Sequence, residues 1–289
     1  MAYYMAEIRR LRQEFLQAYR DGEYQKAIFL GKHLLYIYEE NDDCECMDYA
    51  IDMHNLATVF ERIQSYERAL IYYKKAEELK KQHGGETLSY ADTLNNLAIV
   101  YNRLGKHAQA LKLHCRVLEL RQKQLGQEHA DVIYSLYHIG NSHELLGNWD
   151  KAIGACSQAV QQARRCPDFP ELDLADLYGA LGRVFDAKGN YRKSIHHFEL
   201  CLTITEKARG QESFPYVLCA MLLALAYDKA GWMDLAIEYA ERAVELRRGL
   251  LSERHLDFIN ALNTLAGLCA KGKRFEQAIR AHREVLELA

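Results

Sequence analysis

Leu97-Ala98-Ile99-Val100-Tyr101, followed by Gly105-Lys106-His107-Ala108-Gln109-Ala110, is the stretch that decides the fold. It recurs one period later as Ile139-Gly140-Asn141-Ser142-His143 with Gly147-Asn148-Trp149-Asp150-Lys151-Ala152. It recurs again as Leu181-Gly182-Arg183-Val184-Phe185 with Gly189-Asn190-Tyr191-Arg192-Lys193-Ser194. Each half carries apolar residues at i, i+3, i+4 and i+7, the spacing of a helix that buries one face. The glycine between halves suits a tight turn that needs permissive dihedrals. The aromatic after it packs the second helix on the first, and Ala or Gly in the first helix lets the two backbones approach closely. The small residue after the aromatic recurs as Ala27, Ala69, Ala110, Ala152, Ser194, Ala236 and Ala278, at spacings of 42, 41, 42, 42, 42 and 42.

This pattern resembles the tetratricopeptide repeat (TPR), a helix-turn-helix unit. The period here is eight residues longer than the standard ~34, which adds about one turn to each helix. Leu94-Asn95-Asn96-Leu97-Ala98 with Leu125-Gly126-Gln127-Glu128-His129-Ala130-Asp131-Val132 is similar to kinesin light chain repeats. Ile139-Gly140-Asn141-Ser142-His143 with Leu146-Gly147-Asn148 is similar to Pins-like adaptors. The resemblance implies an all-α, right-handed superhelical solenoid of about seven TPR units. Residues 1–45 read as a degenerate N-terminal capping repeat, with Phe15 and Ala18 where the small–aromatic pair belongs. Residues 46–289 read as six consecutive units, about 46–86, 87–128, 129–170, 171–211, 212–252 and 253–289, in one continuous array. Gln64 stands where a turn glycine is expected, Pro170 and Pro215 suit helix starts, and Cys166-Pro167-Asp168-Phe169-Pro170 is a longer loop or a slight hinge.

The 289 residues are 49% hydrophobic and 27% charged, ample apolar material for a folded chain, with only 3 Pro. A net charge of −3 argues against the large basic surface of a nucleic-acid binder. The longest apolar run, Val217 to Tyr227, is too short to span a bilayer, and the first residues lack a secretory signal pattern. The expected compartment is therefore cytoplasmic, with the 8 Cys as reduced thiols, several of them in apolar helix stripes. No phosphate loop or nucleophile elbow is present, and His143-Glu144-Leu145-Leu146-Gly147 lacks the second His of a zinc-protease helix. His196 and His197 are adjacent and point to different sides of a helix. Cys44-Glu45-Cys46 lacks the second pair of a structural metal site and reads as a solvent-exposed loop beside the acidic stretch from Glu39 to Glu45. No enzyme, metal or cofactor is expected.

In the resembling families the first helix of each unit lines the inner wall. Taking Ala57, Ala98, Gly140, Gly182, Ala224 and Ala266 as references, positions −3, −2, +1, +4 and +5 share the wall face. The expected peptide-binding residues are Asn55, Arg62, Asn95, Asn96, Arg103, Tyr137, His138, Asn141, Arg183, Leu222 and Leu225. An Asn side chain both donates and accepts, so it can pair with a peptide backbone whatever its sequence. The resemblance implies that role for Asn55, Asn96 and Asn141. The arginines would select acidic side chains and Leu222 with Leu225 an apolar one, unless that apolar patch packs under an overlying helix. A clamp for a C-terminal Asp is set aside, because neither His54 with Thr58 nor Asn95 with Ile99 supplies the Lys–Asn pair. The expected function is a non-catalytic scaffold binding a protein segment in a concave groove. The alternative is a peptide-responsive regulator, although such regulators usually carry an N-terminal effector module and none precedes the array here. The chain stops inside the last second helix, which leaves Ile279, Val285 and Leu286 either to a longer protein or to self-association through the C-terminal end.

Overall fold

The computed structural model describes residues 2–250 and 256–288. Among these residues there are fourteen α-helices and no strands. In residues 1–147, α1 (Ala2–Arg20) pairs with α2 (Tyr24–Glu40), α3 (Met47–Arg62) with α4 (Tyr66–Gly84) and α5 (Leu88–Arg103) with α6 (His107–Leu125) as helical hairpins, and α7 (Ala130–Leu145) packs on α6; α8 (Trp149–Ala163) is the first helix of residues 148–289. These are followed by α9 (Glu171–Ala187) with α10 (Tyr191–Arg209), α11 (Phe214–Ala230) with α12 (Met233–Leu250), and α13 (Leu256–Lys271) with α14 (Phe275–Leu288). The helices divide between two compact units, residues 1–147 and 148–289.

The hairpin turn explains the repeat register. Gly22, Gly105, Gly147, Gly189 and Gly231 all have positive φ, and so do Gln64 and Lys273 at the equivalent positions. After Gly22, Gln64, Gly105, Gly189, Gly231 and Lys273 the next residue donates back to a carbonyl five residues earlier, as in Ser65 N to Phe60 O, Lys106 N to Tyr101 O and Arg274 N to Cys269 O. This bond ends a helix on an αL residue. In the last hairpin the left-handed position falls on Lys273, one residue after Gly272. The second helix begins two residues beyond the turn, at Tyr24, Tyr66, His107, Trp149, Tyr191, Met233 and Phe275.

Close approach at the small residues is tight. A Cβ on Gly182 would lie 2.5 Å from the Phe198 ring, and one on Gly31 would lie 3.0 Å from Phe15. Ala27, Ala69, Ala110, Ala152, Ser194 and Ala236 are fully buried. Phe15 and Ala18 are core residues of the first hairpin. Pro170 caps α9 and Pro215 sits in the first turn of α11, where a missing N–H costs nothing.

Successive hairpins are joined by a buried layer. One position of the second helices recurs as Tyr38, Lys80, Arg121, Ala163, Thr205 and Arg247. One position of the following first helices recurs as Asp52, Thr93, Ser135, Leu177, Cys219 and Ala261. Tyr38 donates to Asp52 (3.1 Å), which also accepts from the Arg12 guanidinium at 2.9 and 2.7 Å. Lys80 Nζ donates to Thr93 Oγ1 (2.9 Å) and Ser89 O (3.2 Å). Arg121 donates to Ser135 Oγ and Asp131 O, both at 3.1 Å, and to Asp92 at 2.7 Å. In the second unit Thr205 Oγ1 turns back to Cys201 O (2.8 Å), and Arg247 donates to Asp257 O.

The Cys44–Cys46 segment is less exposed than its composition suggests. Both cysteines are half-buried against the core, and Cys46 Sγ accepts from Tyr49 N (3.3 Å) to cap α3. The acidic stretch is partly tied down, since Glu39 accepts from Tyr49 Oη and Asp43 from Tyr4 Oη. Cys156, Cys201, Cys219 and Cys269 are buried in helix stripes, whereas Cys115 is exposed.

Candidate functional site

In the first unit the first helices lie closer together than the second helices do. α3 touches α5 and α5 touches α7, whereas α4 and α6 leave a groove of about 920 Å3 between them. The unit therefore curves with α3, α5 and α7 on its inner side. Bonds within that inner wall use many of its polar residues. His54 Nδ1 meets Thr93 Oγ1 at 3.0 Å, Thr58 Oγ1 meets Tyr73 Oη at 2.9 Å, and Tyr73 Oη donates to Glu61 at 3.0 Å. Asn102 donates to Ser142 Oγ (3.0 Å) and contacts His107 (3.1 Å).

The remaining wall residues are less committed. Asn55, Asn96, Tyr137, His138 and Asn141 are half-buried on α3, α5 and α7, while Arg62 and Arg103 are exposed at the ends of α3 and α5. Asn55 makes no side-chain hydrogen bond among the described residues. Asn96 accepts a 3.5 Å contact from Asn95, and its side chain also hydrogen-bonds the Tyr73 hydroxyl, which leaves part of the amide's capacity free. Arg62 Nε donates to Tyr19 Oη at 3.1 Å. Asn95 lies deeper than the wall, 9% exposed, with Oδ1 buried and unpartnered. Asn141 Oδ1 is likewise buried without a partner.

Neutral histidines and a lysine of lowered basicity lie behind this wall. Burial, with the nearby Lys80 charge, holds His54 down at about 4. Burial also lowers Lys80, to about 8. His138 stacks on His114 with centroids 5.1 Å apart and planes 10° apart. Burial and the Arg121 charge lower His138 to about 4. Burial, His138 and Arg121 lower His114 to about 3. His114 is 1% exposed and neither ring nitrogen has a hydrogen-bond partner. These rings supply shape and stacking surface rather than charge at neutral pH.

In the second unit the wall positions of α9, α11 and α13 carry an ion-pair ladder. Lys229 Nζ lies 2.5 Å from Asp186 and Lys271 Nζ lies 2.6 Å from Asp228. These +4 and +5 groups hold one repeat to the next. Gly179, Ala180 and Met221, also expected on the wall, are buried. Arg183 is half-buried. Leu222 is half-buried and Leu225 is 39% exposed. Leu218, one turn earlier and 46% exposed, extends this stripe and was not in the expected set. Its i, i+4, i+7 spacing with Leu222 and Leu225 is the signal that could have found it. At the C-terminal end Ile279 and Leu286 are exposed and Val285 is half-buried.

Among the described residues no group of three or more His, Cys, Asp or Glu side chains converges as metal ligands would. No described helix is long and apolar enough to cross a membrane.

A family model described as Tetratricopeptide repeat matches residues 77–123, 89–153, 131–207 and 216–289, and a second of the same description matches 53–83. Among solved structures, the apo form of RapI is 15% identical, with a TM-score of 0.72, covering 98% of this chain and 97% of that one. A Rap protein complexed with Competence and Sporulation Factor is 15% identical, with a TM-score of 0.60 over 98% of this chain and 97% of that one. A Podosopora anserina protein described as a kinesin light chain with nearly identical TPR-like repeats is 20% identical, with a TM-score of 0.63, covering 70% of this chain and 96% of that one. No curated protein sequence matches the chain.

Proposed function

The chain belongs to the tetratricopeptide repeat family, and from that premise we propose that it is a non-catalytic cytoplasmic scaffold that holds a segment of a partner protein against the inner wall of its first unit. One observation carries this reading. Asn55, Asn96 and Asn141 stand half-buried on three successive first helices, while polar neighbours such as His54, Thr58, Glu61 and Asn102 are bonded within the fold. An amide with spare donor and acceptor capacity pairs with a peptide backbone without reading its side chains. Tyr137 and His138 add flat apolar surface beside Asn141, and Asn95 lies behind Asn96. The exposed guanidinia of Arg62 and Arg103 can take carboxylates by paired hydrogen bonds. In the second unit, Leu222 and Leu225 with Arg183 form a smaller surface of the same kind, suited to an apolar side chain next to an acidic one.

The test compares proteins captured from native lysate by the wild-type chain and by an Asn55→Ala/Asn96→Ala/Asn141→Ala variant with the same melting temperature. The reading expects a partner held by the wild type and lost by the variant. Identical captures contradict it.

A second reading is favoured by the Rap proteins, whose fold extends over 98% of this chain. In that reading a bound peptide changes the conformation of the array. Small-angle scattering with and without the captured segment separates the two, since a plain scaffold keeps its radius of gyration. The exposed Ile279 and Leu286 offer a further contact for self-association, which light scattering across a concentration series measures.

A further inference from the structure

The second helices of the second unit, α8 and α10, leave a groove of about 590 Å3 on the side away from the first-helix wall. Its floor is apolar: Val160 is 8% exposed, Leu181 is 2% exposed, and Leu200 is half-buried. Arg164 and Arg165 form one lip, both exposed and neither with an ion-pair partner among the described residues. His196 and His197 line the opposite side.

Charge sets this groove apart from its counterparts. Between α4 and α6, Lys74, Lys81 and Lys112 share the lining with Glu77 and Glu78. Between α12 and α14, Arg248 and Arg280 face Glu241, Glu245 and Glu284, and Arg248 closes on Glu284 at 2.7 Å. No carboxylate lines the α8–α10 groove. Lys193, over the Phe185 ring at 5.3 Å, adds further positive charge nearby. His197 Nδ1 is buried without a partner. The faces of Tyr178, Phe185 and His197 are occupied, because His197 stacks on Phe185 at 5.2 Å and on Tyr178 at 6.0 Å. His196 is then the one exposed ring in the lining, too little for the successive stacking platforms of single-stranded nucleic acid, which favours a polypeptide.

We propose that the α8–α10 groove is a second docking surface, independent of the inner wall, that takes an acidic amphipathic segment of a partner protein. Apolar side chains of the segment rest on Val160, Leu181 and Leu200, and its carboxylates pair with Arg164 and Arg165. From Ser157 to Arg165 the α8 lip extends about 12 Å, room for roughly two turns of a docked helix. The arginines follow Ala163, the one second-helix position of the buried layer whose side chain has no hydrogen-bonding group. Their guanidinia are therefore not drawn into the hairpin junction as that of Arg121 is.

The experiment is fluorescence anisotropy on the full chain. The probe is a labelled peptide of about fourteen residues, with Leu at the a and d positions of a heptad and Glu elsewhere. The proposal expects saturable binding that weakens about tenfold for Arg164→Glu/Arg165→Glu and also weakens for Leu200→Asp. Binding stays unchanged in the Asn55→Ala/Asn96→Ala/Asn141→Ala variant, so failure here is distinct from failure at the inner wall. Both arginines are exposed, and a matching thermal melt verifies that their variant is folded. The proposal is overturned by no binding to the wild type or by equal binding to the arginine variant. It is equally overturned if a Leu→Ser probe or a Glu→Lys probe binds as well, or if labelled oligothymidine binds more tightly.

Discussion

The two units build the same hairpin but join their repeats by different means. In residues 1–147 the junctions are buried and polar: Arg12 and Tyr38 converge on Asp52, Lys80 on Thr93, and Arg121 on Ser135. In residues 148–289 the equivalent second-helix positions are Ala163, which has no polar group, Thr205, whose hydroxyl meets on the next helix only Cys219 Sγ at 4.0 Å beside the Cys201–Cys219 contact, and Arg247, which reaches the next helix as Arg121 does. There the ion pairs between repeats lie on the rim, as Lys188 with Asp150, Lys229 with Asp186, Lys271 with Asp228 and Arg274 with Asp234. The repeat period fixes where the helices lie but leaves open how they are held. A buried polar junction is costly to break, whereas an exposed ion pair adds little and is screened by salt.

The largest expected effect tests the buried junctions. Asp52→Ala removes the buried carboxylate shared by Arg12 and Tyr38, leaves the guanidinium with only the half-exposed Asp48 carboxylate at 3.1 Å, and costs about 3 kcal/mol in urea unfolding. If the cost is below about 1 kcal/mol, the first unit is held no differently from the second. Gly182→Ala tests the backbone approach that both units share. Its methyl meets the Phe198 ring, and we expect a loss of about 1–3 kcal/mol, with Phe198→Leu restoring part of it.

His114→Phe sharpens the comparison from the other side. It replaces a buried ring whose nitrogens have no partners, and it should stabilise the chain at pH 7 by about 1 kcal/mol. The wild type should also lose stability as pH falls. His114 stays neutral in the fold down to about 3, while the unfolded chain takes up its proton near the usual histidine pKa of about 6.5. Between those values the unfolded state binds more protons, so stability rises with pH by about 1.4 kcal/mol per unit for this residue. The variant should lose that share of the slope and keep the share that His54 and His138 contribute with the same sign, which unfolding midpoints from pH 7 to pH 5 measure.

Gln64→Gly relieves a left-handed residue in the first unit, and Lys273→Gly does the same in the second. Each should gain about 0.5–1 kcal/mol, set by the strain of a side chain at positive φ less the entropy of the extra glycine. The smallest effect is Lys229→Ala. It should cost about 0.5 kcal/mol in dilute buffer and almost nothing in about 1 M NaCl, while the Asp52→Ala cost keeps most of its size.

Much of this architecture was legible in the sequence, because helix faces and turn positions repeat in register. Ala110, Ala152 and Ser194 are buried as their spacing requires, and Gln64 does occupy the glycine position of its turn. Lys273 was missed because Gly272, next to it, attracts the turn assignment. The buried layer was not legible either. Lys80 stands in Glu78-Leu79-Lys80-Lys81, which reads as a solvated helix face until the Thr93 hydroxyl is placed beside it. At the candidate site, the wall rule located Asn55, Asn96 and Asn141 on successive first helices. It placed Asn95, Gly179, Ala180 and Met221 too far outward, because their side of the first helix turns into the packing between repeats. Asp186, Asp228, Lys229 and Lys271 fall on the +4 and +5 positions of that rule, but their mutual pairing depends on a rise per repeat that spacing alone does not provide.

The most direct test of the central claim is site-specific photocrosslinking. A benzophenone amino acid placed at Asn96, on the inner wall, is compared with one at the exposed Glu119 on α6. After irradiation in native lysate, the account predicts a partner-derived peptide attached at position 96 and none at position 119. Equal attachment at both positions, or attachment only at 119, would contradict it.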